Sequence, residues 1–206
     1  MNVDVYTELG PGRLVVAPAT DARAVLWLGH GAGGGIDALD LAALAEALPA
    51  AGVTVVRYEQ PWRVAGRKVA PRPAALDVGW LAAAPHVTRI ADGRPLVVGG
   101  RSAGARVACR TAQAVAAAGV VCLAFPLHPP GKPERSRIDE LLLPSVPRLV
   151  LQGDRDTFGT ADDVRAALAA APTADVRVTA VPGADHSMKV LKSSPVDATA
   201  VARRVV

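Results

Sequence analysis

Short apolar runs recur along the chain between clusters of Gly, Pro and polar residues: "RLVVAPA", "AVLWLG", "VTVVRY", "PLVVGG", "VVCLAF", "PRLVLQG" and "DVRVTAV". They are valine-rich and mostly continuous instead of alternating, the pattern of strands buried on both faces. Most are separated by Ala/Leu-rich stretches of helical length, "IDALDLAALAEALPAAG", "SAGARVACRTAQAVAAAG" and "TADDVRAALAAA". Two of these end in "AAG", which places glycine where a helix C-terminal cap is wanted. The alternation predicts an α/β fold with a mostly parallel sheet and helices on both faces. "VDVYTELGPGRLVVAP" reads differently, as an antiparallel N-terminal hairpin added at one edge. No internal repeat, low-complexity tract or linker breaks the pattern, so residues 1–206 are expected to form one domain.

In such sheets ligands bind beyond the carboxyl ends of the strands, which directs attention to the loops there. After "LVV" the chain reads Gly100-Arg101-Ser102-Ala103-Gly104. This fits the G-x-S-x-G elbow, where a strand turns into a helix so sharply that glycine is needed two places either side of the serine. A simpler reading makes Ser102 a helix N-cap. The loop after "AVLWL" is "GHGAGGG" and supports two functions. Gly29, Gly31 and Gly34 satisfy G-x-G-x-x-G, and Glu59 ends the next strand where a ribose-binding acid belongs, as in a dinucleotide-binding protein. Alternatively "HGAGGG" lends a backbone N–H to an oxyanion hole, its small residues leaving the amides open to a developing charge.

The dinucleotide reading leaves "GRSAG" and all that follows without a role. The hydrolase reading requires an acid and then a histidine, each after a late strand. "PRLVLQG" is followed by Asp154 and Asp156, and "VRVTAVPGA" by His186. His30 and His128 fall before Ser102 or too near it, and His86 lies in a helical segment, which leaves His186 as the base.

Together "HGAGGG", "GGRSAGAR", "FPLHPPGKPE", "LVLQGDRDTFG" and "GADHSM" resemble the small lid-less α/β-hydrolases akin to dienelactone hydrolase. Within these the chain is most similar to the branch containing the third regulatory subunit of the non-specific-lethal complex and its testis-expressed relative. The resemblance spans Ala24 to Met188. It implies an α/β-hydrolase fold without a large lid and a Ser102–His186–Asp156 triad. In that branch the acid lies three residues beyond the strand-ending glycine, which selects Asp156 over Asp154. Ala103 stands where the branch often has methionine, and "YEQPW" replaces a more aromatic loop, changes that bear on the substrate pocket. The oxyanion donors are the backbone N–H groups of Ala32 and Ala103. The expected activity is cleavage of small soluble esters or thioesters through an acyl-enzyme, with neither cofactor nor metal. A non-catalytic scaffold on the same fold is the alternative, since fold alone does not fix function.

Composition adds limits. Half the residues are hydrophobic, so a 206-residue chain can bury a sizeable core. Cys109 and Cys122 are too few for a disulfide framework and read as small buried apolar residues. No signal peptide and no bilayer-spanning apolar run is visible, so a cytoplasmic location without membrane attachment is expected. The net charge of +4 is spread over many segments and not gathered into a stripe with aromatics, which argues against nucleic acid as a partner. Two basic loops follow strands at the site edge. One carries Trp62, Arg63 and Arg67, the other His128, and together they suggest a rim that receives an acidic acyl group or an acidic partner. Solvated charged loops are the plainer alternative.

Overall fold

A computed structural model of the chain describes residues 1–171, 175–194 and 197–206. Eight strands form one sheet in the order β1-β2-β4-β3-β5-β6-β7-β8. They are β1 (Asn2–Thr7), β2 (Gly10–Ala17), β3 (Ala24–Gly29), β4 (Val53–Glu59), β5 (Leu96–Arg101), β6 (Gly119–Leu123), β7 (Arg148–Gly153) and β8 (Val176–Val181). The hairpin β1–β2 is antiparallel and β2 joins β4 antiparallel, while the pairs from β4 to β8 are all parallel. This is the α/β-hydrolase architecture, with its antiparallel edge at the N-terminus.

The continuous apolar runs are explained by burial on both sides. Along β3, Val25 and Trp27 point into one core while Leu26 and Leu28 point into the other. The first core packs under α3 (Pro73–Ala91), α4 (Ala103–Thr111), α5 (Ile138–Leu142) and α6 (Ala161–Leu168). The second packs under α1 (Leu39–Ala47) and α7 (Ala198–Val205). Between β4 and α3 lies one further short helix, α2 (Pro61–Val64). Trp27 and Trp80 stack at the centre of the first core, ring centroids 3.7 Å apart and planes nearly parallel. Cys109 and Cys122 are both buried there as free thiols. No helix among the described residues is long and apolar enough to cross a membrane.

One expected glycine cap is present and one is not. Gly52 takes φ 78° and closes the 3₁₀ turn that follows α1. Gly119 instead lies inside β6, paired with Val97, and α4 ends at Thr111. There the Thr111 hydroxyl bonds back to the Val107 carbonyl, and the chain unwinds through Ala116 at φ 50° before entering β6. A run of alanines has high helix propensity, but the helix must stop early enough for the chain to reach the sheet.

Candidate active site

Ser102 sits between β5 and α4 with φ 53° and ψ −111°, a conformation that costs a non-glycine residue about 1–3 kcal/mol. The surroundings impose it. A Cβ on Gly100 would come within 2.5 Å of the Gly29 carbonyl oxygen, and one on Gly104 would overlap the same oxygen. The elbow is pressed directly against the end of β3, and only glycine fits on its two sides. The N-cap reading of Ser102 fails, because its side chain makes no cap hydrogen bond to α4. The hydroxyl instead donates to His186 Nε2 at 2.9 Å.

His186 lies on the turn after β8. Asp185 shapes that turn, its carboxylate accepting from the backbone N–H groups of Ser187 and Lys189. The imidazole Nδ1 donates to both Asp156 oxygens, at 2.8 and 3.0 Å. With Nδ1 carrying the proton, Nε2 is free to accept from serine. Phe158 stacks on the ring with centroids 4.0 Å apart. The Asp156 side chain is fully buried yet satisfied: besides His186 it accepts from Phe158 N–H and from the Gln152 amide. Asp154, the other candidate acid, accepts from Gly183 N–H and holds the turn. Ser102, His186 and Asp156 thus form one hydrogen-bond chain in the geometry of a Ser-His-Asp triad.

The glycine loop is anchored by side chains at several points. His30 is buried; its Nδ1–H donates to Gly31 O, and its Nε2 accepts from Gln60 N–H. Burial lowers its pKa, which keeps the ring neutral as this bonding requires. Arg57 donates to Ile36 O. Ala32 and Ala103, whose N–H groups make no turn or cap hydrogen bond among the described residues, both line a recess with His30, Trp62, Leu76 and Val107. Its cavity of about 10 Å³ is on the order of a single water site.

Arg101 carries a role that the sequence reading did not assign. Its guanidinium pairs with the fully buried Asp40 near the start of α1 at 3.1 Å and donates to the His186 carbonyl at 2.6 Å. Burial pushes the Asp40 carboxyl up, and Arg101 pulls it back down. Gln152 was missed too. Its buried amide ties Asp156 to the Phe125 and Gly159 carbonyls. A signal for both was present: Asp40 and Gln152 are lone polar residues in the apolar stretches "LDLAAL" and "LVLQG". Of the rim residues, Trp62 and Arg63 lie on α2 beside the glycine loop, and Arg67 borders a neighbouring cavity of about 80 Å³ with Trp62. His128 lies across from them, its N–H bonded to Phe158 O and its Nδ1–H to Pro129 O. Glu59, the acid the dinucleotide reading needs, is ion-paired with Arg13. Among the described residues no three His, Cys, Asp or Glu side chains are grouped to hold a metal.

A model of the alpha/beta hydrolase domain matches residues 22–206. The chain belongs to the α/β-hydrolase family. No curated protein sequence matches it, but solved structures do. This hydrolase superposes on an α/β serine hydrolase homologue from Coxiella burnetii with a TM-score of 0.75 at 18% identity, over 90% of this chain and 88% of the other. A lid-less serine hydrolase from Xanthomonas campestris gives 0.71 at 22% identity, over 91% and 86%. Est1E from Butyrivibrio proteoclasticus gives 0.73 at 14% identity, over 99% and 95%. These likenesses concern the fold.

Proposed function

We propose that this α/β hydrolase is a serine esterase or thioesterase for small soluble acyl substrates. The observation that carries the reading is the unbroken chain Ser102–His186–Asp156, on a strained elbow pressed against the end of β3. His186 takes the serine proton as Ser102 Oγ attacks the acyl carbon, then gives it to the leaving oxygen or sulfur. Water repeats the cycle on the acyl-enzyme. Asp156 holds the tautomer and stabilises the imidazolium, and the Ala32 and Ala103 amides receive the oxyanion in the mouth of the recess. The motif likeness to the non-specific-lethal branch belongs to this proposal, and the scaffold role it suggests leaves the intact triad unexplained.

A fluorophosphonate probe should modify Ser102, as mapped by peptide mass spectrometry, and Ser102→Ala should abolish labelling. The small recess limits the acyl group. Each buried CH₂ is worth about 0.8 kcal/mol only when water is excluded, so acetyl and butyryl p-nitrophenyl esters should outrun decanoyl ones. Labelling that survives Ser102→Ala would remove the triad from the mechanism.

A further inference from the structure

The carboxylates around the glycine loop are already engaged: Glu59 with Arg13, Asp37 with Arg57, and Asp40 with Arg101. Arg63 has none. It is half-buried, and its guanidinium lies over Gly35, Nε 3.6 Å from where a Cβ would stand. Among the described residues it makes no side-chain hydrogen bond or ion pair. Next to it Trp62 is 5% exposed, and its indole N–H is buried without an acceptor. Trp62 forms a wall of both the recess below the oxyanion donors and the cavity bordered by Arg67. A cation lacking a partner therefore flanks the loop that would hold the reacting carbonyl. Burying an unpaired donor is unfavourable, and a ligand that supplies acceptors relieves it.

Resting on the esterase reading above, we infer that this hydrolase selects esters bearing a carboxylate, and that Arg63 receives that carboxylate. The apolar recess is too small to contain it, so the anionic group stays outside, along the face of Gly35. A full Arg–carboxylate contact is stronger than a neutral hydrogen bond. Arg67, exposed on the same segment, adds field more than contact.

The test uses two matched pairs: p-nitrophenyl hemisuccinate against its methyl-capped analogue, and para-acetoxybenzoate against its methyl ester. The first carries the carboxylate on the acyl side, the second on the leaving group. At low ionic strength at least one anionic member should exceed its neutral partner about 10–100-fold in kcat/KM, the range expected of a hydrogen bond to a charged group. Salt should shrink the ratio, since exposed charges are screened over roughly 10 Å at 0.1 M. Arg63→Ala should bring the ratio near one. Arg177→Ala, an equal charge change near the opposite end of β8, should leave it intact. A ratio near one in both pairs with Ser102 still labelled by fluorophosphonate overturns this inference alone, as does a preference that survives Arg63→Ala. Loss of both labelling and turnover overturns the esterase reading and this inference with it.

Discussion

Arg101 holds two parts of the site with one guanidinium, and the two duties can be separated. Arg101→Met leaves the buried Asp40 unpaired, at a cost of about 3–5 kcal/mol. At roughly 2–4 °C per kcal/mol for a chain of this size, Tm should fall on the order of 10 °C. Arg101→Met with Asp40→Leu removes the orphaned charge and should recover most of the Tm. The bond to the His186 carbonyl stays lost, so kcat should remain about 10–100-fold down with KM little changed. Recovery of kcat together with Tm would make Arg101 purely structural. Asp156 and Asp154 give a sharper contrast. Asp156→Asn favours the wrong imidazole tautomer and should lower kcat by about 10⁴-fold, as in the well-studied protease triad, whereas Asp154→Asn loses only a turn contact. Equal losses in ester kinetics would discard Asp156 as the acid. Stability should weaken on the acid side. With the pKa of His30 lowered in the fold, the unfolded chain binds a proton first, so this contribution is lost as pH falls below about 6.5. Thermal melts against pH check this.

At the level of elements, the elbow depends on a close approach and the glycine loop on openness. Gly104→Ala would drive a Cβ into the Gly29 carbonyl and should destabilise by at least the ~1–3 kcal/mol of an overfilled core. Gly33→Ala, on the loop with nothing within 4 Å of its Cβ, should leave Tm unchanged. If both variants melt together, the packing explanation of the elbow is wrong. The strands were legible because burial on both faces leaves valine-rich runs that few other structures produce; "AVLWLG" is β3 residue for residue. The elbow, the late acid and the late histidine were legible because each follows a strand end. The end of α4 was not, since Thr111 folds back by a hydroxyl bond and the alanines beyond it still favour helix. Arg101, Asp40 and Gln152 were not either. Their positions mark them as unusual, but their partners lie on other elements, and only the sheet order brings these together.

Across the whole molecule, the parallel strands deliver their carboxyl ends to one edge, and the triad, the glycine loop and both basic loops meet there. The opposite end of the sheet carries a shallow, open cleft among Val97, Val121, Leu149 and Arg177. The formal charge of +4 is therefore less informative than its pairing. Arg106 and Arg110 are spent tying α4 to α5 and α3 through Glu140 and Asp77, while Arg63 is left over at the site. The tryptophans divide in a similar way, and with a practical result. The chain has three. Trp27 and Trp80 form the parallel stack under the sheet, and Trp80 and Trp62 both line the recess with Ala32 and Ala103. Stacked indoles couple their excited states and Trp62 lines the same recess, so the protein's tryptophan emission should report mainly on the ground beneath the glycine loop. Acylation of Ser102, as proposed, should then change intrinsic fluorescence in real time, with no label attached.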